Sequence, residues 1–116
     1  MAHEQNLLTG STTMLLMKLL ENEDMYGYQM IEELARRSDK TFSLKAGTLY
    51  PLLHDMEKRG YIRCYEATAE TGRMRKYYAL TKDGRGALAE KRSEWETVAG
   101  AVNKVLSGGV SLAATS

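Results

Sequence analysis

Apolar residues recur at helical spacing over three successive stretches, give way to two short tyrosine-rich segments, and return as one long helical stripe. From Ser11 the run STTMLLMKLLENED carries Met14, Leu15, Met17, Leu19 and Leu20 almost all round a helix that ends in an acidic cluster, the pattern of a helix sunk in a core. The next run, MYGYQMIEELARRS, has Met30, Ile31 and Leu34 on one face only, which predicts an amphipathic, partly exposed second helix starting at Tyr26 or Gly27. Arg36 and Arg37 fall in its last turn, where cations complement the helix dipole. The connection DKTFSLKA leads into GTLYPLLHDMEKRG, where Leu49, Leu52, Leu53 and Met56 follow i, i+3, i+4, i+7 spacing and predict a third helix with this stripe buried and Gly60 closing it. Pro51 is tolerated only in a first turn, so this helix is expected to begin near Thr48 or to bend slightly around Pro51.

After Gly60, YIRCYEA and MRKYYAL are separated by TAETGR, with Gly72 in the turn, and read as an antiparallel hairpin. Cys64 alternates with Ile62 and is expected to face inward. Then TKDGRGALAEKRSEWETVAGAVNKVL opens with Thr81 as an N-cap and shows Leu88, Trp95 and Val102 seven apart, interleaved with Val98 and Val105. A helix of roughly 25 residues spans ~37 Å, more than a domain this small covers with its own surface. The stripe Leu88, Trp95, Val98, Ala99, Val102 and Val105 is therefore expected to meet another subunit. Ala99, Gly100 and Ala101 either draw the paired helices together or leave a gap between them. The tail 107–116, SGGVSLAATS, is expected to be disordered.

Three helices followed by a basic hairpin, in that order, predict a mostly α (α+β) fold, a winged helix-turn-helix over 11–80, with a dimerisation helix over 81–106. In such a fold the third helix enters the major groove of DNA and the hairpin flanks the duplex. With the leucine stripe inward, Gly47, Tyr50, Pro51, His54 and Lys58 project outward. Gly47 lets a backbone approach closely, Lys45 and Thr48 sit at the helix entrance where phosphate oxygens are received, and Tyr50 and His54 are candidates for base edges or sugars. Arg73, Arg75 and Lys76, on or beside the hairpin tip, are candidates for phosphates or a minor groove. The other tyrosines, Tyr26, Tyr28, Tyr61, Tyr65, Tyr77 and Tyr78, fit corners of the core.

Charge changes the picture only through its placement. The net charge of the 116 residues is +1. Residues 1–45 hold five Lys/Arg against seven Asp/Glu, whereas 58–76 hold six against two, so the positive charge gathers at the end of the third helix and in the hairpin. With 43% hydrophobic residues the chain supports one compact domain, without a second. No window nears the ~20 apolar residues of a membrane span, and the N-terminal residues lack the order of a signal peptide, so a cytoplasmic protein is expected. Cys64 stands alone and His3 and His54 lie far apart, which builds neither a disulfide nor a metal site. Glu21, Glu23 and Asp24 form a solvated helix end, unlike a calcium loop, and Lys82 and Arg85 read as solvated charges. No nucleophile-base pair or phosphate loop argues for an enzyme, and no cofactor is implied. The rival to DNA binding is a winged-helix module that uses the long helix as an arm for another protein.

The blocks YGYQMIEEL, GTLYPLLHDMEKRGYI and GRMRKYYALTKDG resemble, in sequence and spacing, the PadR family of bacterial repressors, over roughly residues 11–106. The resemblance implies a sequence-specific repressor, a homodimer whose two recognition helices address a palindromic operator. It also implies that an effector acts by changing the separation of those helices. By the same resemblance, Trp95 is expected at the place on the long helix where paired tryptophans of a multidrug-sensing member hold flat aromatic compounds. On residues alone Trp95 is either such a platform for a small aromatic effector or a residue of the dimer core.

Overall fold

The computed structural model describes the backbone of residues 2–108 and the side chains of 11–108. Its elements run α1 (Ala2–Leu19), β1 (Met25–Tyr26), α2 (Gly27–Arg37), α3 (Ala46–Lys58), β2 (Ile62–Thr68), β3 (Met74–Leu80) and α4 (Lys82–Leu106). Helix α1 begins nine residues before the Ser11 start that its apolar pattern suggests. Gly10 is no stop signal within a helix, because it costs about 1 kcal/mol and leaves the hydrogen-bond ladder intact. Leu16 and Met17 of α1 and Leu20 just beyond it are fully buried, so α1 is the axis of the core. Met30 and Leu34 of α2, Leu49, Leu53 and Met56 of α3, and Ile62 of β2 close around it. Leu52, expected inside with its neighbours, lies on the flank of the stripe and is only half-buried.

The strands form one antiparallel sheet in the order β1-β3-β2, with Met25 opposite Tyr78, Cys64 opposite Tyr78 from the other side, and Thr68 opposite Met74 at the far end. The expected hairpin is present, and β1 is an addition to it. Two residues are too few to show a period of two, and Tyr26 was a possible helix start. Its backbone is extended instead (φ −89°, ψ 166°), and its N–H donates to the Gln29 side chain at 3.1 Å to start α2 one residue later. Tyr78 is buried on the inner face, where burial pushes its phenol up to about 12. Cys64, half-buried, packs against the same cluster.

Helix α2 ends in a Schellman motif: Asp39 N–H donates to Arg36 O and Lys40 N–H to Ala35 O. Asp39 and Lys40 both take the left-handed region, at φ 52° and 65°, without a glycine. The Ser38 hydroxyl holds the turn, donating to Leu34 O at 2.7 Å and accepting from Phe42 N–H at 3.0 Å. Lysine carries a steric penalty in this region that glycine does not. Lys40→Gly is therefore expected to raise stability by about 0.5–1 kcal/mol in chemical denaturation. A loss of stability would show that Lys40 makes compensating contacts.

Helix α3 starts at Ala46, two residues before Thr48, with Thr48 N–H and Leu49 N–H both reaching Lys45 O at 2.9 Å. Pro51 is thus its sixth residue, and the Gly47 carbonyl that loses a ladder donor to it lies on the exposed side. Gly60, at φ 81°, ends α3 in a second Schellman turn, Tyr61 N–H to Met56 O and Gly60 N–H to Glu57 O. Thr81 caps α4 by accepting Gly84 N–H at 2.9 Å, and its hydroxyl donates to Gly60 O at 2.6 Å. The end of α3 and the start of α4 are thereby tied through one side chain. Of the tail expected to be disordered, 109–116 lies outside the described residues; Ser107 and Gly108 form a turn closing α4.

Candidate nucleic-acid interface

Burying Leu49, Leu53 and Met56 leaves the opposite face of α3 in solvent. Lys45, Gly47, Thr48, Tyr50, Pro51 and His54 are all exposed there, as is Lys58 beyond them. Tyr50, with 46% of its surface exposed, is less free than the helical projection implies. A Cβ added to Gly27 would lie 2.4 Å from the Tyr50 hydroxyl oxygen and 2.7 Å from Cζ, so the phenol rests on the bare backbone of α2. That seat is a direct contact between α2 and α3. Nothing in the spacing of either helix reveals it, because it joins residues 23 positions apart.

The hairpin tip is closed by Ala69 N–H to Arg73 O at 2.8 Å and Gly72 N–H to Ala69 O, with Gly72 at φ 89°. Arg73 is exposed at the tip beside Met74, which is 64% exposed. Arg75 and Lys76, grouped by the sequence reading, are adjacent strand residues and so point to opposite faces of the sheet. Lys76 is exposed opposite Glu66. Arg75 is half-buried, its guanidinium carbon 4.9 Å from the centre of the Tyr26 ring.

The outer face of the sheet is a ribbon of rings. Tyr26 meets Tyr77 edge to face (5.5 Å, 83°), Tyr77 stacks on Tyr65 (5.8 Å, 17°), and Arg63 lies 5.4 Å over Tyr65. The Tyr65 hydroxyl donates to Asp24 at 2.6 Å, and that bond raises the Tyr65 phenol above its usual range. Of the six tyrosines expected at core corners, Tyr78 is buried and Tyr61 packs half-buried against the core, whereas Tyr26, Tyr65 and Tyr77 are half-buried on the outer face and Tyr28 is 62% exposed. The signal was available: Arg63 and Tyr65, like Arg75 and Tyr77, stand two apart and share a face.

Along α4 one stripe meets two environments. Leu88 is buried in the subunit's own core, which removes it from the expected intersubunit surface, because α4 still lies against α1 at that point. Further along, Trp95, Val98, Val102 and Val105 are 46%, 54%, 49% and 78% exposed, with Ala99 half-buried among them.

Three helices around a hydrophobic axis, a hairpin with a short third strand and a long terminal helix make this a winged helix-turn-helix protein. Residues 16–90 match the model of the transcriptional regulator PadR-like family, and the chain belongs to that family. A transcriptional regulator of Clostridium thermocellum superposes with a TM-score of 0.77 at 31% identity, covering 85% of this chain and 96% of the other. A PadR family transcription regulator of Clostridium difficile gives 0.69 at 34% identity, covering 81% and 96%. A transcriptional regulator of Mycobacterium tuberculosis is 33% identical over 78 residues, 67% of this chain and 69% of that one. The family comprises regulators of transcription, not enzymes, and DNA binding comes with it. Among the described residues no helix is long and apolar enough to cross a membrane.

Proposed function

We propose that this protein is a ligand-responsive repressor that binds a palindromic operator as a homodimer in the cytoplasm. The outer face of α3, with Gly47, Thr48, Tyr50, Pro51 and His54, enters the major groove, and Lys45 at the helix entrance receives a phosphate. Arg73 at the wing tip reaches the flanking backbone or minor groove, with Lys76 and Arg75 on the two faces of the wing behind it. The observation that carries this reading is the polar, exposed face of α3 beside a wing in which basic residues outnumber acidic ones, on a chain of nearly neutral net charge. The bare stripe from Trp95 to Val105 supports pairing through α4. A small aromatic compound between paired Trp95 rings would change the separation of the two reading helices, which must match half-sites about one turn of DNA apart.

Anisotropy titration of DNA taken from upstream of the protein's own coding region tests the assignment. Lys45→Glu combined with Arg73→Glu is expected to weaken binding about 100-fold at low salt and to flatten its salt dependence. Undiminished binding by the doubly reversed variant refutes the interface. Effector response is read separately, as quenching of Trp95 emission by a flat aromatic compound together with release of the operator; quenching without release removes induction from the proposal.

A further inference from the structure

Arg75 is a cation held in place without an anion. Its guanidinium lies over the Tyr26 ring, its Nε is buried with no hydrogen-bond partner, and among the described residues no carboxylate pairs with it. Arg36 and Arg37 pair with Glu33, Arg59 with Asp55 and Arg92 with Glu96. Arg63 also lies over a ring without a carboxylate, but among the described residues only Arg75 has its Nε buried without a partner. A guanidinium held over a ring has already lost part of the side-chain freedom that binding an anion would otherwise cost, and its fork is matched to phosphate oxygens. The anchor is itself fixed. Tyr26 is paired with Tyr77 through β1, meets that residue's ring edge to face, and is locked by the Gln29 side chain at the start of α2. The next residue, Gly27, is the seat of Tyr50 on the exposed face of α3.

Two consecutive residues therefore hold one basic side chain of the wing and one exposed side chain of the reading helix. We infer that Tyr26 is a positioning residue for nucleic-acid binding: its ring presents Arg75 to a backbone phosphate, and the Tyr26-Gly27 step sets the spacing between wing and α3. This rests on the DNA-binding reading above. The lever is the cation-ring contact together with the forked donors, and a lysine ammonium on a flexible stem supplies no fork.

The experiment compares the full chain with Y26F, Y26L, R75Q, R75K and Y26L/R75Q on a duplex of mixed sequence across a salt series, since a phosphate contact needs no particular base. R75Q is expected to bind about tenfold more weakly and to lower the salt slope by about one phosphate equivalent. Y26L and R75K should reproduce most of both losses, Y26F neither, and Y26L/R75Q should be no weaker than R75Q. A DNA-free readout accompanies these: the Arg75 Nε–H resonance, shifted by the ring and slow to exchange in wild type and Y26F, and lost as a shifted signal in Y26L. Wild-type affinity and slope in R75K overturn the proposal even if Y26L fails to fold. So do independent, multiplying losses in the double variant, which mark Tyr26 as structural only. If the ring-shifted signal is present but no variant, wild type included, binds duplex DNA, the DNA-binding reading itself is refuted.

Discussion

Gly84→Ala is expected to cost about 3 kcal/mol of stability, a large share of the roughly 5–15 kcal/mol a domain of this kind possesses. A Cβ at this position would lie 2.1 Å from the carbonyl oxygen of Tyr61 and 2.6 Å from Leu80 Cδ1. The leucine methyl can rotate away. The carbonyl cannot, because it accepts Thr81 N–H at 3.0 Å and belongs to the turn that the Thr81 hydroxyl ties to α4. Relief requires α4 to move off the end of α3, which breaks the cap of α4 and loosens Leu88 in the core. Gly86→Ala, two residues on in the same helix, supplies the contrast: nothing lies within 4 Å of its added Cβ. That change is expected to stabilise by about 0.5–1 kcal/mol, the ordinary gain of alanine over glycine in a helix. Thermal unfolding should thus shift downward by roughly 10 °C for one variant and slightly upward for the other. Equal shifts for both would mean that the close approach at Gly84 is not maintained in solution.

The second large effect concerns α4 beyond Leu88. If its bare stripe pairs with a second copy, Val98→Asp with Val102→Asp places two carboxylates on each side of the seam, where burying an unpaired charge costs several kcal/mol. Sedimentation is expected to show a dimer for the wild type and a monomer for the double variant. Trp95 emission should move to the red as its ring enters water. Each subunit should still fold, since both valines already stand about half exposed in the single subunit, but it should melt below the wild type by what pairing adds to the native state. Operator affinity should fall by about 100-fold or more, because two half-sites joined in one molecule gain that much over one. A wild type that sediments as a single subunit, or a double variant that stays paired, rules out α4 as the dimer seam.

Much of this fold is readable along the chain, and the unreadable parts share a cause. The stripe Leu49, Leu53 and Met56 names the buried face of α3 because i, i+4, i+7 spacing is a property of one helix. Gly60 and Thr81 name their caps because each acts on residues within four or five positions. Leu88 shares its stripe with Trp95 and Val102, yet it is buried in the subunit's own core while they stand exposed. One apolar stripe records which side of a helix avoids water, and is silent on whether α1 or another molecule covers a given turn. Asp39 and Lys40 carry a left-handed turn without the glycine that would announce it, so the exact close of α2 was not visible.

For the candidate site, residue types and order alone placed the exposed row on α3, a basic wing and a bare long helix, since these follow from local periodicity and from where charges fall in the chain. Tertiary structure decided that Arg75 turns onto Tyr26 while Lys76 turns away, that Tyr50 leans on Gly27, and that two residues before α2 join the sheet. The physical reason is distance along the chain. Tyr26 and Arg75 are 49 positions apart, and Gly27 and Tyr50 are 23 apart. Contacts of that span leave no period in the sequence and exist only once the core around Leu16 and Met17 has brought the elements together.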